Sequence, residues 1–307
     1  MKTKLTFTLT AFSLAFLLLS CNDDEEAIPP VAAATYYSGM TDFFSKNAVS
    51  YQTFQVNSVT GDTIVGSKGT IFRIEPNAFV DANSQPVSGM ITLKLKEIYS
   101  KKDMLLSGMM TTSWDQVLNS AGMFKLESYL GNDPVYFSYL KPYYALLPSP
   151  TYDPNMSFYK IPSGSGIMNW ISDSLGGYFD YNGSQLPYGY FCEYFASNWI
   201  NCDALPNYPN ITVSVTTQNN PNTDSTLTYV WFNSINGIRD LSHVSANLFS
   251  SNMMKPVACT LVSITISNGK IYAGFLNVAS PTNASAYTVP MNYMTDQAFK
   301  DTLATLN

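Results

Sequence analysis

Residues 257–275 read Val-Ala-Cys-Thr-Leu-Val-Ser-Ile-Thr-Ile-Ser-Asn-Gly-Lys-Ile-Tyr-Ala-Gly-Phe. Two β-rich runs, Val257 to Ile266 and Ile271 to Phe275, bracket the pair Asn268-Gly269. Both central positions of a type I′ turn need φ > 0, which glycine adopts freely and asparagine tolerates, so this stretch predicts a hairpin. Cys259 shares strand parity with Val257 and Leu261, which predicts a buried thiol.

The same period of two recurs along most of the chain. Ile91, Leu93 and Leu95 alternate with Thr92, Lys94 and Lys96, the pattern of a half-buried strand. Phe124, Leu126 and Ser128 repeat it, and Val135 to Leu140 adds a β-rich run behind the turn residues Gly131 and Asn132. Ile211, Val213 and Val215 alternate again, followed by Leu227 to Phe232. Near the end Phe299, Leu303 and Leu306 fall at helical spacing behind the candidate caps Thr295 and Asp296, which predicts a short amphipathic helix docked on the second domain. The fold class is therefore mainly β, with two β-sandwich-like domains over residues 36–150 and 211–307 and a short C-terminal helix. Residues 151–210 interleave Pro, Gly, Ser and Asn with many rings and read as an aromatic-rich irregular connection.

Composition sets the limits on function. Of 307 residues 46% are apolar and 12% charged, enough to bury real cores. Lys+Arg 16 against Asp+Glu 22 gives a formal charge of -6, and an acidic surface repels a phosphate backbone, so nucleic acid is not the expected partner. One histidine and four widely spaced cysteines leave no zinc-ligand pattern, and nothing calls for a metal or another cofactor.

The N-terminus carries an address. Lys2 and Lys4 precede an apolar stretch from Leu5 to Leu19, too short for an ordinary membrane span and placed like an export signal. It ends Leu18-Leu19-Ser20-Cys21, which resembles the lipobox of bacterial lipoproteins. That resemblance implies removal of residues 1–20 as a signal peptide and acylation of Cys21, which tethers the chain to the membrane without spanning it. Asn22, Asp23, Asp24, Glu25 and Glu26 follow, and this run resembles the surface-export signal of lipoproteins in Bacteroidetes-type bacteria. The implied location is the outer membrane, facing outward. Residues 21–35 otherwise read as a tether extended by like charges.

Gly69-Thr70-Ile71-Phe72-Arg73-Ile74 with Pro76, Ala78 and Phe79, and later Trp199-Ile200-Asn201-Cys202-Asp203, are similar to a pattern in uncharacterised Bacteroidetes lipoproteins. The first stretch also resembles the β-sandwich domain of netrin receptors and ankyrins. These resemblances imply architecture and address and bring no catalytic residues.

Several residues are candidates for chemistry, each with a plainer reading beside it. Cys192 and Cys202 could pair as a disulfide in an exported chain, or stand as separate buried thiols. Asp203 could form a glycan-hydrolysing carboxylate pair with Glu193, Asp180 or Asp173, or could cap a turn beside Pro206. His243-Val244-Ser245 has the form used by self-cleaving domains, yet a lone histidine in a Ser- and Asn-rich loop is the ordinary case. Trp170, Tyr190 and Trp199 are candidate stacking surfaces for sugar rings, or core filling. Asp62-Thr63-Ile64, Asp224-Ser225-Thr226 and Asp301-Thr302-Leu303 match the O-glycosylation triplet of the same bacteria. The expected role is a lipid-anchored, non-catalytic binding or interaction module for a glycan or an envelope protein. The alternatives are a glycan-processing enzyme near Asp203 and a self-cleaving module at Val244 and Ser245.

Overall fold

The computed structural model describes residues 35–114, 116–149, 152–161, 169–173, 189–194 and 198–306. Residues 34–307 form one compact unit, and the chain within it is mainly β, built as two stacked β-sandwich-like layers with a short C-terminal helix.

The predicted hairpin is present as the antiparallel strands Cys259–Ser267 and Lys270–Val278, in register from Cys259↔Val278 to Ser267↔Lys270. Asn268 and Gly269 take φ of 50° and 75°, both in the left-handed region that the turn requires. Eight of the nine residues of Cys259–Ser267 are buried, polar Thr260, Ser263 and Thr265 included. A strand covered on both faces is buried at every position, and here each face meets a different core. Val230, Phe232, Cys259, Leu261 and Val278 pack against Val213, Val215 and Phe249 of the opposing sheet. Tyr229, Trp231, Val262 and Ile264 turn the other way.

The first sandwich has its own core. One sheet orders the strands Gln52–Asn57, Met90–Ile98, Asn119–Leu130, Trp199–Ala204, Ser157–Lys160 and Ile171–Ser172. The other orders Gly189–Tyr194, Tyr143–Pro148, Ile71–Ile74 and Asp62–Val65. Ile91, Leu93, Leu95, Phe124 and Leu126 meet Phe72, Tyr143 and Leu147 between them, with the Phe72 and Phe124 rings edge to face at 5.0 Å. The run read as β from Val135 to Leu140 is a strand only over Asp133–Phe137, because the chain turns at Ser138 with Lys141 N–H donating to its carbonyl. Where it is described, the aromatic stretch 151–210 supplies four of these strands.

A middle core joins the two layers. Ile98, Met123, Tyr159 and Trp170 from the first meet Trp231, Val262 and Ile271 from the second, together with three helices. The predicted C-terminal helix is Asp296–Thr305, with Thr295 Oγ1 accepting the Ala298 N–H at 3.1 Å and Phe299 and Leu303 fully buried. Helices Met40–Asn47 and Lys101–Leu106 were not expected. Both are shorter than the window over which a helical period shows in a sequence, and the second rests on the Ser100 cap to the Asp103 N–H. Among the described residues no helix is long and apolar enough to cross a membrane.

Candidate functional site

A polar concavity opens where the two layers meet. It encloses about 740 Å³ and draws its walls from four segments: Asn119; Asp153 to Tyr159; Ala204 to Tyr208; and the turn at Ser234 and Ile235. Its size suits a small ligand of a few rings.

Each wall is fixed by hydrogen bonds, several of them made by lining side chains. The Asn155 backbone N–H and side-chain Nδ2 both donate to Asp153 Oδ1 at 2.9 Å, folding the segment into a side-chain-capped turn. The Asp153 N–H donates to the Tyr190 hydroxyl at 2.8 Å, which ties that turn to the first sandwich. Asn236 docks the second layer: its N–H donates to Asn119 Oδ1 at 2.8 Å and its Nδ2 to the Ser120 carbonyl at 2.7 Å. The third wall is gripped by Lys255. Its ammonium is buried and donates to the Tyr208 carbonyl at 3.0 Å, Asn210 Oδ1 at 2.8 Å and Gln116 Oε1 at 2.7 Å.

The lining is rich in amides and hydroxyls, with Asn119, Asn155, Ser157, Asn207 and Ser234, and it includes the rings of Tyr159 and Tyr208. Asp153 is its single carboxylate, and Lys, Arg and His are absent from it among the described residues. Tyr208 and Leu205 stand half in solvent at the rim.

Asp203 lies just below this cleft and is fully buried. Its register partners are Ser157 on one side and Ser120 on the other, at a bulge between Cys202 and Asp203. It is thus part of the strand Trp199–Ala204 and does not cap a turn, because pairing on both edges holds the segment extended. Burial pushes its carboxyl well above the usual carboxylate range, with the Ser120 hydroxyl acting the other way. The carboxylates expected to pair with it are elsewhere. Asp173 is committed to Lys160 at 3.0 Å and to the Tyr194 hydroxyl, and Glu193 is exposed on the opposite sheet. Asp180 lies outside the described residues.

Of the three rings expected to stack on sugars, two are buried and Trp199 is half-buried. Trp170 and Tyr190 are buried, Trp170 with its indole N–H donating to the Met110 carbonyl at 2.6 Å, and Trp199 packs against the middle core. Ring density in the sequence does not say which face a ring takes. Parity does, since Tyr190, Cys192 and Tyr194 alternate inward. The exposed rings are others, among them Trp114, at 76% exposure in the tight turn between Thr112–Ser113 and Gln116–Val117. Tyr136 and Tyr139 border a second hollow of about 550 Å³ near Asp81.

Cys192 and Cys202 are free thiols, not a bridge. They belong to opposite sheets, both inside the first core, and burial pushes both thiols well up. Cys259 is the buried thiol that its parity predicts. His243 sits on the exposed strand Ser242–Ser245, its ring stacked on Phe249 at 5.0 Å and its Nε2 donating to the Ala246 carbonyl at 2.8 Å. Of the triplets, Thr63 is exposed on an edge strand, while Ser225 and Thr302 are half-buried, Thr302 with its hydroxyl bonded to the Ala298 carbonyl. Cys21 lies outside the described residues. No group of three or more His, Cys, Asp or Glu among the described residues could hold a metal ion. No protein-family model matches the chain, and no curated protein matches it significantly.

Proposed function

We propose that the chain is a lipid-anchored, outward-facing envelope protein whose interlayer cleft binds an uncharged saccharide without turning it over. The observation that carries this reading is the lining of the cleft. Amides and hydroxyls from Asn119, Asn155, Ser157, Asn207 and Ser234 offer paired donors and acceptors to sugar hydroxyls. Tyr208, half in solvent, adds flat apolar area for a ring face. A lining without Lys, Arg or His among the described residues lacks the charged donors that hold a phosphate or sulfate group most strongly. Glycoside hydrolysis uses two carboxylates across the scissile bond, and the lining has one, Asp153, which favours binding over turnover.

The anchor rests on the order of residues Leu5 to Cys21. Lipid on Cys21 makes the membrane the chain's fixed partner, and the cleft its point of contact with material outside. The test has two arms. Cells fed labelled palmitate should yield labelled wild-type chain and unlabelled Cys21→Ala chain. A glycan array probed with the purified chain should show neutral saccharides retained and no reducing sugar released. Charged glycans alone, or sugar release, would contradict the reading.

A further inference from the structure

Among the described residues, Asn201 Nδ2 and both carboxyl oxygens of Asp203 are buried without a hydrogen bond of ordinary length, the Ser120 hydroxyl lying beside the carboxyl. The two residues are one apart on the same strand, and Ser120 adjoins both. Its hydroxyl donates to Asn201 Oδ1 at 2.7 Å and it is the register partner of Asp203. The Ser120 Oγ also accepts the Gly122 N–H at 3.1 Å, so this hydroxyl is already engaged as donor and acceptor. An open amide donor and a carboxyl that, as the neutral acid, both donates and accepts define what fits. The guest must accept from an amide N–H and donate to a carboxyl oxygen. A cation would face the Asn201 amide hydrogens, and an anion would face the carboxyl. A hydroxyl group satisfies both sides, and buried waters characteristically join such groups with about three hydrogen bonds.

We propose that Asn201, Asp203 and Ser120 form a site for one internal water, lying under the floor of the interlayer cleft. Three neighbours of Asp203 place it there: Ser157, its partner across the sheet; Ala204, the next residue; and Asn119, next to Ser120, all of which line the cleft. The carboxyl also acts electrostatically on the Tyr159 phenol in the cleft wall. The site stands whatever ligand the cleft takes. The ladder is irregular beside the site, where the strand Asn119–Leu130 carries one residue more than its partner opposite Cys202 and Asp203.

A crystal structure of the chain at atomic resolution should show a single peak about 2.7–3.1 Å from both Asn201 Nδ2 and an Asp203 oxygen. Direct bonding of the two side chains with no peak would overturn the proposal. So would a peak ringed by oxygens at about 2.3–2.6 Å, the distances of a bound calcium ion. Water relaxation dispersion gives a second readout. Wild type and Asp203→Asn should each hold one more long-lived water than Asp203→Leu, and equal counts in all three would overturn the proposal. Should Asp203→Leu fail to fold, the comparison of Asn201→Leu with wild type carries the same two outcomes.

Discussion

Two carboxyls are fully buried in the first sandwich, and they are opposites. Glu97 accepts from Gln52 Nε2 at 2.7 Å, from the Lys68 and Thr70 N–H groups at 3.1 Å each, and from the Thr70 hydroxyl. It closes the 66–70 loop onto the end of the strand Met90–Ile98. Asp203 has no such set, and its surroundings push it toward the neutral acid. The contrast separates structure from site. A buried carboxyl with every lone pair engaged holds a loop, whereas one left open next to a cleft is available to a guest.

The comparison breaks most readily at Glu97. Glu97→Leu strips the 66–70 loop of its acceptor and leaves several donors unpaired, each at about 1–3 kcal/mol, so urea unfolding should show a loss of roughly 4 kcal/mol. A loss under about 1 kcal/mol would put Glu97 and Asp203 in one class. Lys255 extends the contrast to a buried ammonium that is well held. Lys255→Met should cost about 2–3 kcal/mol and weaken saccharide binding as well, since the Tyr208 wall loses its grip. Gly66→Ala sharpens the Glu97 side alone: the added Cβ would stand 2.2 Å from Glu97 Oε2. The displaced carboxylate should cost about 1–3 kcal/mol, measured as a lower urea midpoint with an unchanged slope.

Asp203 should show the smallest effect, with a pH dependence of its own. Its folded pKa lies above the unfolded value near 3.8, so the folded state binds more protons in between. Stability therefore falls as pH rises from about 3.8 toward the raised value and levels off beyond it. Asp203→Asn should remove that slope and change stability by under about 1 kcal/mol at low pH. A wild-type stability that rises with pH across this window through Asp203 would contradict the assignment.

Much of the architecture was legible because its causes are local. Asn268-Gly269 carries its own turn chemistry, and Ile91, Leu93 and Leu95 carry their own face. Thr295 and Phe299 mark their helix in the same way. The cleft was not legible, because Asn119, Asn155, Tyr208 and Ser234 are brought together only by the docking of one layer on the other. Gly122 shows how a contact between neighbouring strands leaves a trace without a meaning. Its φ is 139°, and a Cβ there would lie 2.3 Å from the Tyr99 ring, a closeness that no local pattern announces. Asp203 was visible as a candidate, but its burial, and the middle core above it, depend on contacts across the whole chain.

The most direct test is a calorimetric titration of a neutral saccharide retained on the array into wild-type chain and into Asn155→Ala. Saturable heat with the wild type and its loss in the variant, with the variant still melting cooperatively, is the predicted result. Equal heats in both proteins would place the saccharide elsewhere and contradict the account of the cleft.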